Sequence, residues 1–127
     1  MFAGQRGLKS KEQIGTAGEQ IAARHLKKKK FRIVERNYRC KLGEIDIVAT
    51  KGEYLVFVEV KTRNADVEEV NPLISITKAK CRKLRQLGSY FMLSFDRYGD
   101  MQPRFDIIGV TIQRECAFVL EHIESAF

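Results

Sequence analysis

The chain, 127 residues long, reads as an α/β sandwich: a mixed central sheet flanked by helices, in the order α-β-β-β-α-β-β. Three observations predict it. An apolar stripe at helical spacing runs from about Lys11 to Lys29. Two strand-like runs joined by Lys51-Gly52-Glu53 form a tight antiparallel hairpin. A second helical stripe, from about Ile76 to Ser94, separates that hairpin from two further strand-like runs.

In the first helix Ile14, Ala17, Ile21, Ala22 and Leu26 recur on one face, and Ser10 with Gln13 forms a capping box. Gly15 and Gly18 each cost about 1 kcal/mol of helix propensity relative to Ala. They let this helix approach another backbone closely. Lys27 to Lys30 end it, because cations offset the negative end of the helix dipole.

Three strands come next: Phe31–Arg39, Glu44–Thr50 and Tyr54–Arg63. Asn64 to Pro72 is polar and acidic, the composition of a mobile loop. The second helix turns Cys81, Leu84, Gly88 and Phe91 inward, and Lys78, Arg82, Lys83 and Arg85 crowd its other faces. Phe105–Ile112 and Ala117–Ile123 are the last two strands. With no repeat and no linker rich in Pro, Gly or Ser, residues 1–127 form one domain, with 1–10 a flexible leader.

Composition narrows the function. Lys and Arg total 23 against 16 Asp and Glu, net +7, which favours a polyanionic partner. A hydrophobic content of 44% excludes global disorder. No apolar run approaches the roughly 20 residues of a spanning helix, and the N-terminus carries no secretory signal. Cys40, Cys81 and Cys116 lie in no zinc-like spacing and read as reduced thiols of a cytoplasmic protein.

The chemistry concentrates on two strands. Side chains alternate along a strand, so Glu59 and Lys61 share one face and Val56, Val58 and Val60 the other. In GEIDIVA, residues 43–49, Glu44 and Asp46 share one face while Ile45 and Ile47 take the other. If both apolar faces look into one core, Glu44, Asp46, Glu59 and Lys61 gather opposite it. Clustered carboxylates raise one another's pKa unless a cation sits among them. Mg²⁺ or Mn²⁺ suits such a set, with two carboxylates, the Val60 carbonyl and water as ligands. A nearby ammonium orients water and stabilises charge on a phosphate oxygen. The competing reading is a solvent-facing salt-bridge network of little energetic weight.

Asp46 followed by Glu59-Val60-Lys61 resembles the D…(D/E)-x-K signature of the PD-(D/E)XK nuclease superfamily, whose restriction-endonuclease-like core is α-β-β-β-α-β. The wider pattern, GTAGE (15–19), RNYRC (36–40), GEIDIVA (43–49), LVFVEVKTR (55–63) and RFDIIGV (104–110), resembles the YraN family of small bacterial proteins. Its motif layout is similar to that of archaeal-type Holliday junction resolvases. The resemblance implies a metal-dependent nuclease, with one extra C-terminal strand added to the core. Carried across, it makes Asp46 and Glu59 metal ligands and Lys61 the catalytic lysine, with Glu19 supplying a further carboxylate and Glu44 a ligand or a partner of Arg39 or Lys61. Lys80 matches a lysine expected to contact the scissile phosphate. Lys78, Arg82, Arg85 and Arg63 complete a nucleic-acid-binding set.

Other residues have plainer readings. Asp106 pairs with Arg104 or Arg63 rather than with metal. His25 and His122 stand alone as structural or surface residues. Tyr38, Tyr90 and Phe91 belong to the core before they stack on bases. The leading expectation is a nuclease acting on branched or single-stranded DNA rather than RNA, away from any membrane, with a homodimer suited to cutting two strands. The alternative is a non-catalytic module of the same fold that binds nucleic acid or a protein.

Overall fold

A computed structural model describes residues 10–65, 76–114 and 117–127. The leader up to residue 9, the loop from 66 to Pro72, and Cys116 lie outside the described residues.

Helix α1 (Lys11–Lys28) starts as its capping box dictates. The Gln13 N–H donates to Ser10 Oγ (3.1 Å) and the Ser10 N–H to Gln13 Oε1 (2.9 Å). The helix buries Ile14, Ala22, Ala23 and Leu26, with Ala17 and Ile21 packed partly beneath it. Strands β1 (Arg32–Cys40), β2 (Gly43–Lys51) and β3 (Tyr54–Asn64) come next, then helix α2 (Lys78–Ser94), strand β4 (Gln102–Ile112) and strand β5 (Phe118–Ile123). A short 3₁₀ turn, Asp96–Tyr98, lies between α2 and β4. Helix α2 begins two residues later than its apolar pattern predicts. Thr77 takes the N-cap, its Oγ1 accepting from the Lys80 N–H at 3.0 Å.

The five strands lie in sequence order in one sheet. The β1–β2, β2–β3 and β4–β5 pairs are antiparallel; β3–β4 is parallel and spanned by α2, which makes the sheet mixed. Strand β4 begins at Gln102, earlier than expected. Pro103 reads as a break because it has no N–H to give, but the Gln102 N–H reaches the Glu53 carbonyl (2.9 Å) and starts the ladder ahead of it.

Both sheet faces are covered, which is why its central strands are apolar almost throughout. Helix α1 packs on Ile47, Ala49, Val56, Val58, Ile108 and Val110. Helix α2 packs Leu84, Leu87 and Phe91 against Ile45, Val48, Leu55 and Phe57. Each of these Val, Ile, Leu and Phe side chains, fully buried, contributes about 1.5–3 kcal/mol relative to exposure. Gly18 does lie close to β3, but against a side chain rather than a backbone: a Cβ there would collide with the Thr62 side chain. Gly15 has open space around it and serves no such approach. Among the described residues no helix is long and apolar enough to cross a membrane.

Asp106 is fully buried in β4 and fully partnered. Arg104 grips it with two bonds (Nε–Oδ1 3.0 Å, Nη2–Oδ2 2.8 Å), and the Ser125 N–H donates to Oδ1 at 3.0 Å. His122 Nε2 lies 2.8 Å from Oδ2. Burial pushes this carboxyl up, but the bonds from His122, Arg104 and Ser125 outweigh it and hold the pKa below the ordinary range. The two histidines do not stand alone. His25 Nε2 lies 3.0 Å from His122 Nδ1, tying α1 to β5 across 97 positions of sequence. Tyr38 and Phe91 meet edge to face (5.0 Å) in the α2-side core, as core aromatics do.

Candidate active site

Strands β2 and β3 pair regularly from Lys51↔Tyr54 to Ile47↔Val58. The next pair would join Asp46 to Glu59, and there the ladder stops. Asp46 Oδ2 instead accepts the Val60 N–H at 2.8 Å, a side chain standing where a backbone carbonyl would have bonded. The site occupies this parting of the strands.

The parting changes which face each residue meets. Ile47 lies in the α1-side core but Ile45 in the α2-side core, so the alternation of β2 slips by one residue at Asp46. The expected gathering of Glu44, Asp46, Glu59 and Lys61 on a single face is therefore incorrect. Glu44 falls on the α1 side, since it neighbours Ile45. Glu59 and Lys61 fall on the α2 side, since Val58 and Val60 contact the α1-side core. Asp46 reaches between the strands, and the acidic groups meet through the gap rather than across one surface.

Glu59 is 9% exposed, and the Lys80 ammonium stands 3.5 Å from its Oε2. Lys80 arrives there because it leads the stripe of Leu84 and Leu87 by four and seven residues, which puts it on the sheet-facing side of α2's first turn. Burial and, next, the Glu59 carboxylate push the Asp46 carboxyl up to about 7, against the pull of the Val60 N–H. Glu19 and Glu44 push it in the same direction. Glu19 approaches from α1. Its own pKa is raised by burial and by Glu44, while Arg36, the Asn37 side chain and Arg39 draw it back.

Glu44 pairs with Arg39 (Nε–Oε2 2.6 Å), an exposed contact of little energetic weight. Lys61 makes no salt bridge among the described residues. Arg63 continues the same face of β3, and its buried Nε has no hydrogen-bond partner. Lys78, Lys80, Arg82 and Arg85 are exposed along α2, with Arg85 also stacked 5.6 Å from the Phe127 ring. Arg36 and Asn37, which draw the Glu19 pKa down, were not expected at the site; the only local signal was their place in RNYRC.

Among the described residues no three His, Cys, Asp or Glu side chains group tightly enough to hold a metal ion by themselves. A closed structural site is thus a poor fit. Mg²⁺ and Mn²⁺ make a different demand: one or two carboxylates, with water and substrate oxygens completing the shell. The half-buried Asp46 and the buried Glu59 fit that demand.

The family described as "Uncharacterised protein family UPF0102" matches residues 18–110. The chain is 42% identical over 116 residues to UPF0102 protein GSU0650 of Geobacter sulfurreducens, covering 90% of this chain and 88% of that one. It is 40% identical over 118 residues to a UPF0102 protein of Streptomyces griseus (91% and 96% covered). To one from Caldanaerobacter subterraneus it is 38% identical over 120 residues (93% and 97% covered).

Proposed function

Since the chain belongs to the UPF0102 (YraN) family and carries this charged site, we propose that it is a Mg²⁺- or Mn²⁺-dependent nuclease of the PD-(D/E)XK type. It hydrolyses phosphodiester bonds of nucleic acid, DNA rather than RNA, in the cytoplasm. The observation that carries the reading is Asp46. Its Oδ2 takes the Val60 N–H at 2.8 Å where the β2–β3 ladder has stopped, opposite the buried Glu59, so two carboxylates from neighbouring strands converge where the sheet has opened, an arrangement suited to a cation.

Asp46, Glu59 and the Val60 carbonyl would hold the ion, with Glu19 behind them. When bound, the ion supplies a Lewis acid for the phosphate and a more acidic water. The chain's own groups do the rest. Lys61, free of any salt bridge among the described residues, orients the attacking water and offers positive charge to the phosphate oxygen. Lys80 shields Glu59 and stands where the scissile phosphate would enter. Arg63 has an unused buried donor for an anion. Lys78, Arg82 and Arg85 track the backbone of the substrate. Cutting both strands of a branched junction calls for two copies, so a homodimer belongs to this proposal.

A panel of single-stranded, duplex, flap and four-way-junction DNA with structured RNA, in Mg²⁺ or Mn²⁺ with an EDTA control, tests it. The wild type should cut at least one substrate, and only with metal. The double variant Asp46→Ala, Glu59→Ala should stay folded, bind and not cut. Equal cleavage by variant and wild type removes the assignment. Binding without any cleavage leaves the non-catalytic module.

A further inference from the structure

The ladder between β1 and β2 has one gap beside the candidate site. Arg36 pairs with Ile47 and Tyr38 with Ile45, but Asn37 and Asp46, which face each other between these pairs, form none. Asn37 has a left-handed backbone, φ 53°. The other described residues with positive φ are Lys30, Gly43, Gly52 and Ser125. They sit at a helix end, at turns or, for Gly43, at the first residue of a strand; Asn37 alone sits inside one.

A left-handed residue within a strand reverses the alternation of the residues beyond it. Arg36 shares its side with Ile47, on α1; Tyr38 lies with Ile45, on α2. In a regular strand residues 36 and 38 would share a side. The slip in β1 is in step with the slip in β2 at Asp46, so the two strands stay paired through it. Asn is the residue besides glycine that best tolerates this conformation.

We infer that Asn37 is a positioning residue for the candidate active site: its left-handed backbone turns β1 so that β2 can aim Asp46 into the gap. Strained backbone is retained where the surrounding structure uses it. The inference deepens the nuclease reading and rests on it.

The role is tested by the backbone that each side chain permits. Asn37→Gly keeps the left-handed conformation without steric cost, and should fold and bind Mn²⁺ with wild-type affinity by calorimetry. Asn37→Val, whose β-branch disfavours positive φ, should bind Mn²⁺ about 10-fold more weakly, the effect usual for groups that orient metal ligands. Where Asn37→Val does not fold, Asn37→Ala is measured in its place against the same expectation. A folded Val or Ala variant with wild-type Mn²⁺ affinity, or an Asn37→Gly variant as weak as these, overturns the inference. A wild type that neither binds Mn²⁺ nor cuts nucleic acid defeats the nuclease reading itself, and the inference with it.

Discussion

Replacing Asp46 with asparagine should make the metal-free protein more stable above neutral pH, although it removes a group assigned to the proposed active site. In the folded chain the carboxyl is pushed from its ordinary 3.8 up to about 7, first by burial and then by Glu59. A raised pKa means that the folded state binds the proton more tightly than the unfolded state. The stabilisation is therefore complete below about pH 4, drains away as pH rises toward 7, and is absent above it. The gap corresponds to about 4 kcal/mol as an upper bound. Asparagine is neutral at every pH and keeps an oxygen for the Val60 N–H, which now bonds at 2.8 Å to Oδ2. The bond to a neutral acceptor is weaker by about 1 kcal/mol, so a net gain of roughly 2–3 kcal/mol is expected at pH 8. For a domain of this size that raises Tm by about 10 °C. Thermal melts in EDTA at pH 5 and pH 8 should show a wild type that loses stability between the two relative to Asp46→Asn. Millimolar Mg²⁺ or Mn²⁺ should then restore the wild type at pH 8 and leave the variant unchanged. An asparagine variant that melts at or below the wild type at pH 8 in EDTA would show that Asp46 is under no such load.

Gly18→Ala should cost about 1–3 kcal/mol by driving a Cβ into Thr62, and Thr62→Ala in the same chain should return part of it in a melting experiment. Exchanging Lys78 and Arg82 for Gln should weaken DNA binding and flatten its logarithmic salt dependence by about 0.7–0.9 per lost phosphate contact; titrations at several salt concentrations read this directly. Asp106→Ala should destabilise by about 3–5 kcal/mol in denaturant unfolding, because it strands the buried Arg104 guanidinium. DNA binding by whatever remains folded should match the wild type, since Asp106 lies with Arg104 and His122 and serves no part of the proposed site.

Much of this protein was open to reading in one dimension. Helical and strand periods are local, so α1, the β2–β3 hairpin, α2 and the last two strands could be placed within a few residues from apolar spacing and a capping box. The residues assigned to the proposed site, Asp46, Glu59 and Lys61, stood out because charge is out of place in an apolar strand. Boundaries at Thr77 and Gln102 were less visible, since each depends on a hydrogen bond with a partner that spacing does not name.

What the chain by itself determined, then, is its class, its elements and the inventory of acidic and basic groups, because these stem from periodicity and side-chain chemistry. Which groups meet was decided in three dimensions. A strict alternation puts Glu44 and Asp46 beside Glu59 on one face; the left-handed Asn37 and the slip opposite it divide them between two faces and bring them together through a parted sheet. Lys80 reaches Glu59 only because α2 lies across β3, and His25 finds His122 only because the last strand returns beside the first helix. Alternation is a property of each strand alone, whereas its interruption depends on two strands slipping together, and that coupling exists only once they are paired.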